Sequence, residues 1–292
     1  MLPAFFKFGI EDSPSVHVAP GEVLKIGGLS ITNSMLYGWI TTLVIVIFLI
    51  WAARRVRVHP KGGVVQYVEA GVEFVTNFVE GAFTDKETGR KYVPFFVTLF
   101  FFVLLNNWSG LLPFVGEGLQ INGHPLFRPM TGDLNATLAI GLVTMLYVYA
   151  ASIKETGGPL KYLRHFFIGH PLNPLYFVIG IIEMITDLTR VLSLSLRLFL
   201  NITIGEIVIA VFAFLGGALL PHSILSPIAA LPFTLLELGV GALQAYIFAI
   251  LGTNYLAIAV NSAQDHDMAE HDDLTEGDPT GTIEVTHKEA VA

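Results

Sequence analysis

Five apolar runs dominate the chain, and each is long enough to cross a hydrocarbon layer. A bilayer core of about 30 Å needs roughly 20 helical residues. The runs are 35–53, 93–112, 134–153, 175–215 and 227–260. In such a solvent every backbone N–H and C=O must be satisfied within the chain, so continuous helices are the available solution. The fold class expected is therefore an all-α polytopic membrane protein with five transmembrane helices. A sixth segment, 64–83, sets Glu69, Glu73 and Glu80 against Val68, Val72, Val75 and Val79. That pattern suits one amphipathic helix at the membrane interface.

The last two runs are too long for upright spans. Residues 175–215 would extend about 60 Å and 227–260 about 50 Å as helices. Neither has a Pro-Gly or Asn-Gly turn signal at its middle. Two long, tilted helices forming a hairpin are expected, with the turn near Gly216 to Ser226. No internal repeat is evident, which argues against an inverted-repeat transporter.

Charge gives the orientation and the boundaries. With the N-terminus outside and the sides alternating, the inner segments hold Arg54, Arg55, Arg57, Lys61, Lys86, Arg90, Lys91, Lys154, Lys161, Arg164 and Lys288. Only Lys7, Lys25 and Arg128 fall outside. That asymmetry obeys the positive-inside rule and puts the C-terminus in the cytoplasm. Residues 1–31 carry Pro3, Pro14, Pro20 and a Gly27-Gly28 pair, read as an irregular outer segment and not a signal peptide. Residues 32–262 form the membrane domain. From Asp265 onward there are nine acids against Lys288, so the whole net charge of −8 lies in the tail. Residues 263–292 read as a disordered cytoplasmic tail.

Composition removes several function classes. The absence of cysteine excludes disulfide scaffolds, iron–sulfur clusters and thiolate catalysis. The acidic balance argues against nucleic acid as a partner. None of the nine histidines lies in a span, which argues against bis-His haem. No phosphate loop, His-Glu-x-x-His or nucleophile elbow is present. Neither a cofactor nor a metal is expected, and this chain by itself carries no soluble catalytic site.

The informative residues are charges within the apolar hairpin. Its first helix holds Glu183, Asp187, Arg190, Arg197, Asn201 and Glu206. Its second holds Glu237 and Gln244, with Gly239 and Gly241 leaving room for a neighbour. A charge at mid-membrane costs about 2.5–3.5 kcal/mol on insertion scales. Residues 183, 187, 190, 197 and 201 share a broad helical face, whereas Glu206 points the opposite way. Asp187 and Glu183 can pair with Arg190 structurally. Arg197 has no acid on its own turn. Its counter-ion could be Glu206 or Glu237 across the hairpin, water, or a carboxylate of another subunit; simple snorkelling is the bland alternative.

Ser193-Leu194-Ser195-Leu196-Arg197-Leu198-Phe199-Leu200-Asn201 followed by Gly205-Glu206 resembles the signature of subunit a of rotary F-type ATP synthases. So do Leu243 to Phe248, His170-Pro171-Leu172-Asn173-Pro174, Leu99 to Pro113 with Asn106-Asn107, and Asp133 to Leu138. The likeness covers roughly 32–262. It implies an interfacial helix and a tilted hairpin lying against a ring of c-subunits, within a complex that includes peripheral-stalk b subunits and membrane lipid. It implies that Arg197 faces the passing ring carboxylate and separates two half-channels. Asn201 and Gln244 would support Arg197. Glu206 and Glu237 would belong to the periplasmic path, and Glu183 to the cytoplasmic one. Asp133 matches an acidic position near the periplasmic entrance, though it equally suits an N-cap. The implied function is ion translocation, by default of protons, coupled to ATP synthesis in a bacterial plasma membrane. A stand-alone secondary ion transporter, active in liposomes without a ring, is the alternative, and a passive membrane anchor is a third class.

Overall fold

The computed structural model describes residues 21–26, 29–55, 63–112, 115, 120–121, 124–125, 127–158, 174–219 and 225–276. Six α-helices account for most of them: α1 Asn33–Arg55, α2 Val64–Ala82, α3 Lys86–Gly110, α4 Leu134–Glu155, α5 Pro174–Leu219 and α6 Leu225–Glu276. Five hold windows long and apolar enough to span a membrane, and α2 is the exception. The protein is an all-α polytopic membrane protein.

Both long runs are single helices. α5 has 46 residues and α6 has 52. Their apolar windows, Leu188–Gly216 and Ile228–Asn261, exceed what an upright crossing needs, which implies tilt. They pack as an antiparallel hairpin. Phe212 stacks on Phe233 at 3.7 Å near the turn. Towards the other end the Arg190 guanidinium lies 4.7 Å from the ring centroid of Tyr255.

Caps set the helix ends. Asp85 opens α3 by accepting from the N–H groups of Glu87 and Thr88. The Thr88 hydroxyl also donates to it at 2.9 Å, and these bonds, led by that hydroxyl, hold the Asp85 carboxyl below the ordinary carboxylate range. Asp133 opens α4 by accepting from Asn135 N–H at 3.0 Å. α4 closes at Gly157, whose φ of 82° is the left-handed conformation glycine supplies at a helix C-terminus.

α6 runs through the centre of the bundle. Its Phe248, Leu256 and Val260 are buried with Phe96 and Val103 of α3, Val148 of α4 and Leu198 of α5. The start of α3 is tied to the end of α4, since Tyr92 donates to Glu155 at 2.7 Å and Lys91 lies 3.5 Å from the same carboxylate. α1 is peripheral. It is anchored by Tyr37 donating to the Ser109 carbonyl at 2.8 Å, and it leaves Trp39, Leu43, Val44 and Ile47 exposed in a lipid-facing stripe.

Several local features differ from expectation. Residues read as irregular include an antiparallel strand pair, β1 Glu22–Ile26 with β2 Leu29–Thr32. The loop after α3 holds two short paired strands, β3 Gln120–Ile121 and β4 His124–Pro125, and a 3-10 turn Met130–Gly132. Those turns return the chain to the bundle, which a Gly/Pro-rich composition does not disclose. α6 continues as helix to Glu276, into the acidic segment for which no regular structure is expected. Along α2 Val75 and Val79 are buried, but Val72 is exposed, so the covered stripe is narrower than the pattern suggested. Residues 277–292 and the His170 to Asn173 motif lie outside the described residues.

Candidate functional site

The α5–α6 hairpin displays its polar residues in two separate spaces. The first is an open groove of about 590 Å³, lined on one side by Ser193, Leu196, Arg197, Leu200, Asn201 and Ile204 of α5. Val240, Leu243 and Gln244 of α6 form the other wall. Arg197 is exposed here, in the middle of a membrane-spanning window. Among the described residues no carboxylate pairs with it. Beside it, Asn201 Nδ2 and Gln244 Nε2 are buried donors without a hydrogen-bond partner among the described residues. A buried polar atom left unsatisfied costs about 1–3 kcal/mol, so a surface built this way is complete only against water or a polar partner.

The second space is a cavity of about 10 Å³, lined by Asn107, Gly110, Leu111, Pro129, Ile202, Glu206 and Glu237. That is about the volume one water needs. The half-turn offset between positions 197 and 206 turns Glu206 away from the groove and into this cavity. Glu237 is buried at 6% exposure, with its carboxylate against the α5 backbone at Gly205. The two acids thus share one water-sized space. Glu237 and Gln244 follow one stripe of α6 but open into different spaces, Glu237 to the cavity and Gln244 to the groove.

Two further residues complete the cavity region, and sequence reasoning assigned neither a role. Asn107 donates to the Gly241 carbonyl at 3.0 Å and keeps its Oδ1 at the cavity wall without a partner among the described residues. By sequence Arg128 is simply an outer-loop charge. It is 3% exposed and lies across Gly132 from the Glu206 carboxylate. Such burial has no periodic signal in a loop; the one available hint was an arginine amid an otherwise weakly charged outer segment.

The remaining candidates lie elsewhere. Asp133 is buried next to the cavity region but uses both carboxylate oxygens, one for the α4 N-terminus and one for the Ser34 hydroxyl at 2.7 Å. Arg190 faces Tyr255 at the other end of the hairpin. Glu183 and Asp187 are on α5, and their side chains are outside the described set. Gly241 receives Asn107, as expected for a close approach; Gly239 faces open space, with nothing among the described residues within 4 Å of a β-carbon placed there. Among the described residues no cluster of three potential metal ligands occurs.

The family model of the ATP synthase A chain matches residues 35–257. The chain belongs to this family. It is 32% identical over 263 residues to ATP synthase subunit a of Myxococcus xanthus, covering 87% of this chain and 80% of that one. The corresponding protein of Gloeobacter violaceus is 30% identical over 254 residues, at 86% and 94% coverage. That of Moorella thermoacetica is 32% identical over 243 residues, at 82% and 96%. Membership assigns the chain to the membrane sector of a multi-subunit ATP synthase and its work to ion transport in ATP synthesis. The matched residues take in both the groove and the cavity.

Proposed function

We propose that this subunit conducts protons through two offset half-channels meeting at a ring of c-subunits, and so couples the transmembrane gradient to rotation. The observation that carries the reading is Arg197. It is a permanently charged group in mid-span, exposed in a groove of about 590 Å³ and without a carboxylate partner among the described residues. A carboxylate carried past on a neighbouring helix would supply the missing charge. Near Arg197 that carboxylate would favour its deprotonated form and release its proton. A fixed cation between the two paths would also oppose protons passing straight through.

On this reading the cavity between Glu206 and Glu237 belongs to the periplasmic half-channel, with Asn107 in its wall. Asn201 and Gln244 hold water or ring groups beside Arg197. Glu183, nearer the N-terminus of α5, serves the cytoplasmic path. Arg54 and Arg55 close α1 and Lys154 lies in the last turn of α4, which supports a cytoplasmic location for those ends, a periplasmic N-terminus and a cytoplasmic C-terminus. The location is the plasma membrane of a bacterium, with b subunits of the peripheral stalk alongside.

Because the chain has no cysteine, a single introduced thiol is unique within it. Leu200→Cys on the groove should cross-link to a cysteine on the ring's carboxylate-bearing helix in the assembled complex. Leu142→Cys, exposed on α4, should not. Equal yields at both positions, or none at Leu200→Cys, would overturn the reading.

A further inference from the structure

Arg128 stands out among the buried charges. It reaches the bundle from the loop between α3 and α4, immediately before the 3-10 turn. Its Nη2 donates to the Gly132 carbonyl at 3.1 Å, while Nε and Nη1 are buried without a partner among the described residues. Gly132 separates it from Glu206. A β-carbon on Gly132 would lie 3.6 Å from Glu206 Oε2 and 3.7 Å from Arg128 Nε. The two charged groups are thus within about 7 Å of each other, inside the ~10 Å over which even solvated charges interact. Arg128 is buried and Glu206 half-buried, so screening is weaker still.

Few other charges compete. From α6 the ionisable neighbour of Glu206 is Glu237, and α3 contributes the neutral Asn107. Asp133, the residue after Gly132, is engaged with Ser34 and the α4 N-terminus. Arg128 is therefore the cation that stands beside this pair of acids among the described residues. A purely structural arginine would be expected to satisfy its fork with carbonyls or a tight ion pair; this one leaves two of its three nitrogens free.

We propose that Arg128 is a positioning residue of the ion path: it supplies the fixed positive charge against which Glu206 and Glu237 take up and release the transported proton. This rests on the assignment of those acids to the periplasmic half-channel. With the cation present, two acids sharing one small cavity need not both be neutral to coexist. Each transfer is a simple proton exchange between carboxylate and water, with no other bond made or broken.

The test uses the complete ATP synthase in inverted membrane vesicles and follows ATP-driven proton pumping against pH. Arg128→Gln should assemble but pump more slowly, with its pH profile moved to the alkaline side by about one unit. A carboxyl that has lost a neighbouring positive charge gives up its proton less readily. Arg128→Lys should return the profile towards the parental one. In a Glu206→Gln background, adding Arg128→Gln should shift the profile by clearly less than in the parental enzyme, because only Glu237 of the pair remains. A parental profile in Arg128→Gln overturns the inference, as does an undiminished shift in the double variant. Should Arg128→Gln fail to assemble, the double variant, which leaves no Glu206 charge uncompensated, should restore assembly; continued failure would mark Arg128 as structural and overturn the inference. Arg197→Ala in the same vesicles separates the two levels: normal pumping there refutes the half-channel reading itself, whereas lost pumping there with parental Arg128→Gln refutes only this inference.

Discussion

Glu237 rests its carboxylate on the α5 backbone at Gly205, in space that any side chain at 205 would occupy. One acid of the cavity is therefore placed by a missing methyl group on the opposite helix. Gly205→Ala should displace Glu237 and strain the hairpin by about 1–3 kcal/mol, the usual cost of overpacking. Gly239→Ala meets nothing within 4 Å among the described residues and serves as the control. Proton flux in vesicles should drop about tenfold in the first and stay within about twofold in the second, the equivalent of ~0.5 kcal/mol. Equal flux in both would remove Gly205 from the site.

Asp133 divides its carboxylate between Asn135 N–H and the Ser34 hydroxyl. Asparagine can reproduce both contacts, accepting with Oδ1 and donating with Nδ2. Asp133→Asn should therefore keep coupled ATP synthesis within about twofold, whereas Asp133→Ala should lose stability by about 0.5–2 kcal/mol, as for a lost helix cap. A tenfold loss of synthesis in Asp133→Asn, with normal assembly, would instead make Asp133 an acid of the entrance.

Arg190 lies over the Tyr255 ring at 4.7 Å, tying α5 to α6 far from the cavity. Tyr255→Leu should lower stability by about 0.5–2 kcal/mol through the lost cation–π contact. Tyr255→Phe keeps the ring and should be nearly neutral. Thermal unfolding of the detergent-solubilised subunit separates these outcomes.

Asp85 carries a pH signature. Its carboxyl is held below the ordinary value of 3.8, chiefly by the Thr88 hydroxyl and then by backbone N–H groups. A depressed native pKa stabilises above the unfolded-state value, and the contribution fades as pH falls through the native one. Asp85→Ala should thus lower Tm at pH 7 and approach the parental Tm under strongly acidic conditions, below that range. A constant gap at every pH would contradict the ionic part of this cap.

The features legible in the sequence are those with a period or a length. Runs of 41 and 34 residues without a turn signal predicted two helices instead of four, and α5 and α6 are such helices. Nine residues of helical rotation predicted that Glu206 would turn away from Arg197, and the two line different spaces. Contacts made by the return of a loop carry no such pattern. Arg128 sits ahead of a 3-10 turn, and nothing local says that the turn folds it in beside Glu206. Likewise Gly205 and Gly239 look equivalent as small residues near polar ones. Only the packed hairpin distinguishes the glycine under a carboxylate from the one facing outward.

The proposed function depends on Arg197 as the charge that separates the two proton paths. ATP-driven proton uptake by inverted vesicles carrying fully assembled Arg197→Ala enzyme tests this most directly. Uptake should fall to background while passive proton permeability persists, and Arg197→Lys should restore little, since lysine lacks the planar fork. Uptake at the parental rate in Arg197→Ala would contradict the account.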